Sequence, residues 1–188
     1  VGWRGKYKSD GGVLSNQAIH LLDALVYIFK KVKKFNFLIE YNKKKLEAED
    51  LIILNLVHSN EIISSLKATT RANNNYSSSI DVIGEKGRVL VKGISLNTFH
   101  KFKDNNITQD KKNSEDFESG SSVIGAMGNG HYKILKEFFN SKNLKSSKNL
   151  EISKNLHVLD IIHSVYNAAR NKKNPFLLVK KKQSQLGI

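Results

Sequence analysis

Four residues, Asn16, His20, Asp23 and Tyr27, follow one another at intervals of three or four positions. A helix turns about 100° per residue, so this spacing lines them along one side. Such a side normally carries Lys and Glu; here it carries an amide, an imidazole and a carboxylate, groups that move protons and hold hydroxyls. An imidazole near neutral pH can accept a proton, and a neighbouring donor can steady the anion left behind. Gln17 adds a second amide beside Asn16. A structural reading stands next to the chemical one: a helical His with Asp at i+3 is often only a local hydrogen bond.

Other candidates are weaker. Gly125-Ala126-Met127-Gly128-Asn129-Gly130-His131 runs Gly-x-x-Gly-x-Gly, the reverse of the dinucleotide fingerprint. Placed before a helix, it offers free backbone N–H groups to an anion; a flexible loop with a helix cap explains it equally well. Gly84-Glu85-Lys86-Gly87 lies between strand-like runs and reads as a structural turn, not a nucleic-acid clamp. His157 and His163 sit roughly 9 Å apart along a helix axis, a poor fit to one small metal ion even with Asp160 between them. Arg4 and Arg71 are scarce bidentate donors for phosphate or carboxylate, and Arg4, adjoining the first motif, is the better placed.

The elements that position these residues follow from pattern. After Gly11-Gly12, the run to Lys30 puts Leu14, Ala18, Leu21, Leu22, Leu25, Ile28 and Phe29 on one broad apolar side, predicting an amphipathic helix. Alternating or continuous apolar runs at 34–41, 51–57, 61–70, 78–83, 88–91 and 95–100 predict about six strands joined by short turns, hence antiparallel neighbours. Residues 101–122 are charged and aperiodic, predicting a mobile loop without chemistry. Helices are predicted over 132–139 and 152–171. The first has Ile134, Leu135, Phe138 and Phe139 on one side. The second has a core stripe of Leu156, Leu159, Ile162 and Tyr166, flanked by Val165 and Ala169, and ends before Pro175. An edge strand at 176–179 completes the pattern. Trp3 and Tyr7 are expected to pack as anchors.

At 188 residues and 39% hydrophobic, one domain over 1–188 with its own core is expected. A mean hydropathy of −0.40 and the lack of an 18-residue apolar run argue against a membrane span. No leader is seen, and the absence of Cys fits a reducing compartment, so the cytoplasm is expected. The net charge of +14 invites nucleic acid as a partner. Of the 31 basic residues, however, only Arg4, Arg71, Arg88 and Arg170 are arginine, and base and phosphate readout leans on Arg. Scattered lysine pairs and triplets fit solvated faces better and would still attract an anionic small ligand.

Trp3-Arg4-Gly5 with Gly11-Gly12-Val13-Leu14-Ser15-Asn16-Gln17-Ala18-Ile19-His20-Leu21-Leu22-Asp23 resembles the opening of the C-terminal domain of the Gfo/Idh/MocA oxidoreductases. Ile83-Gly84-Glu85-Lys86-Gly87 with Gly93-Ile94-Ser95-Leu96-Asn97, and Gly128-Asn129-Gly130-His131-Tyr132, are similar to the branch acting on nucleotide-linked sugars, the UDP-N-acetyl-hexosamine or uronate 3-dehydrogenases. The resemblance runs in family order from Trp3 to the closing Gln185-Leu186-Gly187-Ile188.

It implies an α+β fold: a mostly antiparallel, open-faced sheet with helices on one face, pairing through its other face in a homo-oligomer. It implies NAD or NADP as cofactor, a nucleotide-sugar substrate and oxidation of a ring hydroxyl. His20 stands in the family's catalytic His position. Arg4, Asn16, Gln17, Asn129 and His131 fall on the substrate side, and Asp23 is an orienting carboxylate. Many relatives have Asp where this chain has Asn16; an amide cannot relay a proton, which throws more of the proton handling on His20. The family's dinucleotide-binding domain and the Lys of its Glu-Lys-Pro motif have no counterpart in these residues, so the chain alone is expected to be inactive. Two other classes compete: a non-catalytic dimerising module in which His20 is buried and structural, and a lysine-based nucleic-acid binder.

Overall fold

The computed structural model describes residues 5–42, 46–74, 78–93, 96, 98–103, 106–108, 130–140, 155–171 and 177–178. They fall into two compact units, Val1–Asn73 with Ile152–Ile188, and Asn74–Glu151.

The first unit opens on a π-helical stretch, Leu14–Ala18, that runs directly into helix α1, Ile19–Phe29. Strands β1 (Val32–Glu40), β2 (Leu51–His58) and β3 (Ile63–Thr69) follow. Helix α3 (Leu156–Arg170) and the two-residue strand β8 (Leu177–Leu178) complete it. The sheet order is β3-β2-β1-β8, antiparallel throughout. Side chains alternate across a strand, and β2 obeys this strictly: Ile52, Leu54, Leu56 and His58 are buried, and the residues between them are half-buried. A register shift between Val32 and Lys34 lets β1 turn both Val32 and Phe35 inward although three positions separate them. Phe35 and Phe37 stack on this face, centroids 6.2 Å apart. Helix α1 lies against β3, α3 against β1, and the helices touch each other.

The opposite face of the sheet carries Leu38, Ile53, Val57 and Ile63, with Asn55 donating to Asn36 Oδ1 across the strands at 2.8 Å. Leu38 and Ile63 are 50% and 75% exposed.

The helices keep most of the expected pattern and shift part of it. Leu14, Ala18, Leu22 and Leu25 are buried, while Ile28, which only flanks that stripe, is exposed. In α3 the buried side is Val158, Ile161, Ile162, Val165 and Ala168, whereas Leu156 and Leu159 are exposed. The apolar residues of 156–169 fit two overlapping stripes, and the one with small and β-branched side chains meets the sheet.

Two histidines serve the core. One nitrogen of the fully buried His58 lies 2.9 Å from the Lys30 carbonyl, so Nδ1 donates there, and Ser64 Oγ stands 2.8 Å from Nε2. His157 Nε2 accepts the Val32 N–H at 2.9 Å. Burial pulls the His157 imidazole below its ordinary value of about 6.5; Lys31 and His58 push the same way, against Asp160. The unfolded chain therefore binds this proton more readily than the folded one. Stability is complete above about pH 6.5 and falls as pH drops toward the lower folded value. Urea midpoints at pH 7.5 and 5.5 check this: wild type is expected to lose stability on acidification, and His157→Gln to lose less.

The second unit holds β4 (Ser78–Gly84), β5 (Gly87–Gly93), β6 (Thr98–Lys103) and β7 (Asn106–Thr108) in that order as a second antiparallel sheet. Gly84 pairs with Gly87 across a turn at Glu85-Lys86, where Gly87 takes a φ of 134° that favours glycine. Arg88 donates from Nε and Nη2 to the two carboxylate oxygens of Asp81, at 2.8 and 2.6 Å, and lies over the Phe102 ring. Helix α2, Gly130–Asn140, exposes Ile134, Leu135, Phe138 and Phe139.

The α+β class and the antiparallel strands are as expected, but the strands divide between two sheets. The expected loop is corrected at its start, where residues 101–103 extend β6 and 106–108 form β7; the rest of it, 104–105 and 109–122, lies outside the described residues. Among the described residues no helix is long and apolar enough to cross a membrane.

Candidate functional site

The helix start is shaped by two glycines with different requirements. Gly11 has a φ of 69°, and a Cβ there would stand 2.1 Å from Ser15 Oγ. Gly12 has no room: a Cβ would lie 1.7 Å from Glu49 Oε2. The π-helical stretch that follows has no side-chain cap of its own, and the first N–H groups of a helix need acceptors. They find them far away in sequence. Gly12 N–H donates to Tyr166 Oη at 3.4 Å, Val13 N–H to the Glu49 carbonyl at 3.0 Å, and Leu14 N–H to Glu49 Oε1 at 3.0 Å. Tyr166 O–H in turn donates to Glu49 Oε1 at 2.8 Å, with Ser15 Oγ 3.2 Å from the phenol. Burial raises the Glu49 carboxyl above the usual carboxylate range, and it raises the Tyr166 phenol, which also faces Glu49.

From this anchored start the polar side of the helix points outward. Asn16, Gln17, His20, Asp23 and Tyr27 are all exposed. Asp10 takes the Gly5 N–H on Oδ2 at 2.8 Å and the Asn16 amide on Oδ1, while Gln17 Nε2 donates to Asn16 Oδ1 at 2.7 Å. A carboxylate thus fixes which way the two amides face. His20 and Asp23 are not joined by a hydrogen bond among the described residues, so the local-bond reading of that pair does not hold. The buried-His reading fails too, because His20 faces solvent.

Two cavities meet at Asp10 and Gly11. One, of about 350 Å³, is lined by Asn16, Gln17, Gly12, Glu49 and Thr70 among others. The other, of about 600 Å³, lies among Tyr7, Tyr41, Ser15, Tyr166, Glu47 and Arg170. Each lies within the usual size range of small-ligand clefts. Tyr7, half-buried here, has its phenol pushed up by burial and by the neighbouring Tyr41 hydroxyl.

Of the residues singled out in sequence, the structure gathers Asn16, Gln17 and His20 on one exposed surface, with Asp23 and Tyr27 further along the helix. His131 is exposed at the start of α2, in the second unit. Arg4 and Asn129 lie outside the described residues. Arg71 is committed elsewhere: its Nε and Nη2 both bond Asp50 Oδ1, at 2.9 and 2.7 Å. No group of metal-ligating residues occurs among the described residues. Asp10, Glu49 and the hydroxyl of Tyr166 were not singled out. Glu49 carries a faint signal, an acid at the threshold of an apolar strand, but nothing in spacing ties it to residues 12–14.

A family model described as the oxidoreductase family C-terminal alpha/beta domain matches residues 1–177. A comparison with curated protein sequences finds no significant match. Similar solved structures include the WlbA dehydrogenase from Bordetella pertussis in complex with NADH and UDP-GlcNAcA, at 22% identity and a TM-score of 0.70, covering 96% of this chain and 49% of that one. The WlbA dehydrogenase from Chromobacterium violaceum, with the same two ligands, gives 21% identity and a TM-score of 0.73, covering 97% and 50%. An oxidoreductase from Agrobacterium radiobacter in complex with NAD+, L-tartaric acid and magnesium gives 16% and 0.74, covering 92% and 51%. The chain thus spans about half the length of each.

Proposed function

The chain belongs to the C-terminal alpha/beta domain family of the Gfo/Idh/MocA oxidoreductases, and from that premise we propose that it forms the substrate-side half of an NAD(P)-dependent dehydrogenase acting on a nucleotide-linked sugar. The ring hydroxyl oxidised is that at C3 of a UDP-linked acetamido sugar. The observation that carries this reading is the exposed imidazole of His20, one turn beyond an amide held on the Asp10 carboxylate.

A bound nicotinamide would supply the hydride acceptor for the carbon bearing the hydroxyl. The rest falls to protein side chains. His20, neutral, takes the hydroxyl proton as the C–H bond breaks, leaving a carbonyl and an imidazolium. Asn16 and Gln17 fit a carboxamide or a sugar hydroxyl, since each amide offers a donor and an acceptor and Asp10 sets their direction. Asp23, further along the same exposed side, is assigned the role of an orienting carboxylate. Arg4 and His131 are assigned to the substrate's anionic groups, and Asn129 to its polar groups.

This reading is supported by the two WlbA dehydrogenases with NADH and UDP-GlcNAcA among the similar structures. Its test is turnover. The complete protein, given NAD and UDP-GlcNAcA, is expected to produce NADH, and residues 1–188 alone to produce none. No NADH from the complete protein with NAD, and no NADPH with NADP, would overturn the substrate assignment; turnover by the 188-residue chain alone would overturn the division of labour.

A further inference from the structure

We propose that Glu49 and Tyr166 are positioning residues for the reaction, clamping from outside the helix start that carries Asn16 and His20. The role rests on the reading of His20 as the proton acceptor. Three consecutive N–H groups, of Gly12, Val13 and Leu14, are taken up by the Tyr166 phenol, the Glu49 carbonyl and the Glu49 carboxyl. They are the first N–H of the helix, that of Leu14, and the two that lead into it, and the helix start has no side-chain cap of its own. Glu49 replaces the cap from 35 residues away, with backbone and side chain together.

The carboxyl is built for this place and for little else. Glu49 is 2% exposed. Both its side-chain donors, Leu14 N–H and Tyr166 O–H, converge on Oε1, and Oε2 is buried with no hydrogen-bond partner among the described residues. An ionised carboxylate would be left with one oxygen unsolvated in the interior, at a cost well above that of a single unpaired hydroxyl. The arrangement suits a neutral acid whose carbonyl oxygen accepts twice, and burial drives the group the same way. Asp50, the next residue, adds like charge in the same direction, while the phenols of Tyr7 and Tyr166 face it without balancing charge.

The clamp reaches the proposed site by a short path. Tyr166 Oη lies 3.2 Å from Ser15 Oγ, next to Asn16, and His20 follows one turn later. Since α3 supplies Tyr166 and the β2 approach supplies Glu49, the amide and imidazole take their places from two distant segments. A misplacement of about 1 Å in a reacting group can cost about 10²-fold in rate.

The test uses the complete protein with NAD and UDP-GlcNAcA, comparing Glu49→Gln, Glu49→Ala, Tyr166→Phe and His20→Ala. Hydrogen exchange at the Gly12 and Leu14 amides reads the clamp without reference to turnover. Glu49→Gln retains the accepting oxygen and is expected to keep kcat within about threefold of wild type. Glu49→Ala is expected to speed exchange at Leu14 and lower kcat about tenfold or more, with KM little changed. Tyr166→Phe, a loss of one hydroxyl, is expected to speed exchange at Gly12 and lower kcat in the same sense; it decides the matter if Glu49→Ala does not fold. Unchanged exchange in the folded variants overturns the clamp. Faster exchange with wild-type kcat, in an enzyme that His20→Ala inactivates, overturns the positioning role. Full activity of His20→Ala removes the proton-acceptor reading and the positioning role with it, and exchange still decides whether the clamp exists.

Discussion

Replacing His20 with Ala in the complete protein is expected to lower kcat/KM by about 10²-fold or more, close to 3 kcal/mol of transition-state stabilisation, with the fold intact. The fold should survive because the side chain is exposed and supports no packing; surface substitutions of that kind usually change stability by about 0.5 kcal/mol or less. The loss should fall on kcat, since a proton acceptor acts as the C–H bond breaks and contributes little to ground-state binding. Steady-state rates together with a thermal melt check both halves. Activity within about threefold of wild type would return the helix to a scaffold role. Asn16→Asp offers a graded companion, because it places a carboxylate against Asp10, which now bonds the amide.

The largest stability effect at the site is expected from Gly12→Ala. Its Cβ would fall 1.7 Å from Oε2 and 1.8 Å from Cδ of Glu49, a clash with a buried carboxyl whose Oε1 is held by Leu14 and Tyr166. Overpacking of this kind typically costs about 1 to 3 kcal/mol, and here the upper end is expected, a fall in Tm of roughly 6 to 12 °C for a chain of this size. A double-mutant cycle identifies the cause. In a Glu49→Ala background the same glycine substitution should cost less than half as much, because the atoms it strikes are gone. An equal cost in both backgrounds would assign the penalty to backbone conformation instead.

How much of this could be read from the sequence depends on the range of each interaction. The strip Asn16, His20, Asp23 and Tyr27 was legible because an exposed helix face is set by 3.6-residue geometry alone, and the structure leaves all four in solvent. The strand at 51–57 was legible for the same local reason. In α3 the local rule was degenerate: Leu156 and Leu159 fit a helical stripe as well as Val158 and Ile161 do, and contact with the sheet made the choice. The division into two sheets was hidden because antiparallel hairpins look alike in sequence whichever sheet they join. Glu49 and Tyr166 were out of reach, since their hydrogen bonds span 35 and 117 residues and carry no periodicity. The glycine pair was visible, but the reason for it was not: one member answers to backbone conformation, the other to a distant carboxyl.

That second glycine ties two loci of the gene to each other. A lineage descending from this sequence acquires a side chain at position 12 at least cost after position 49 has been shortened, and the glutamate at 49 is best tolerated while 12 stays bare. Paired substitution histories at these two sites, read across a family tree, are therefore expected to show an order of events rather than independent drift.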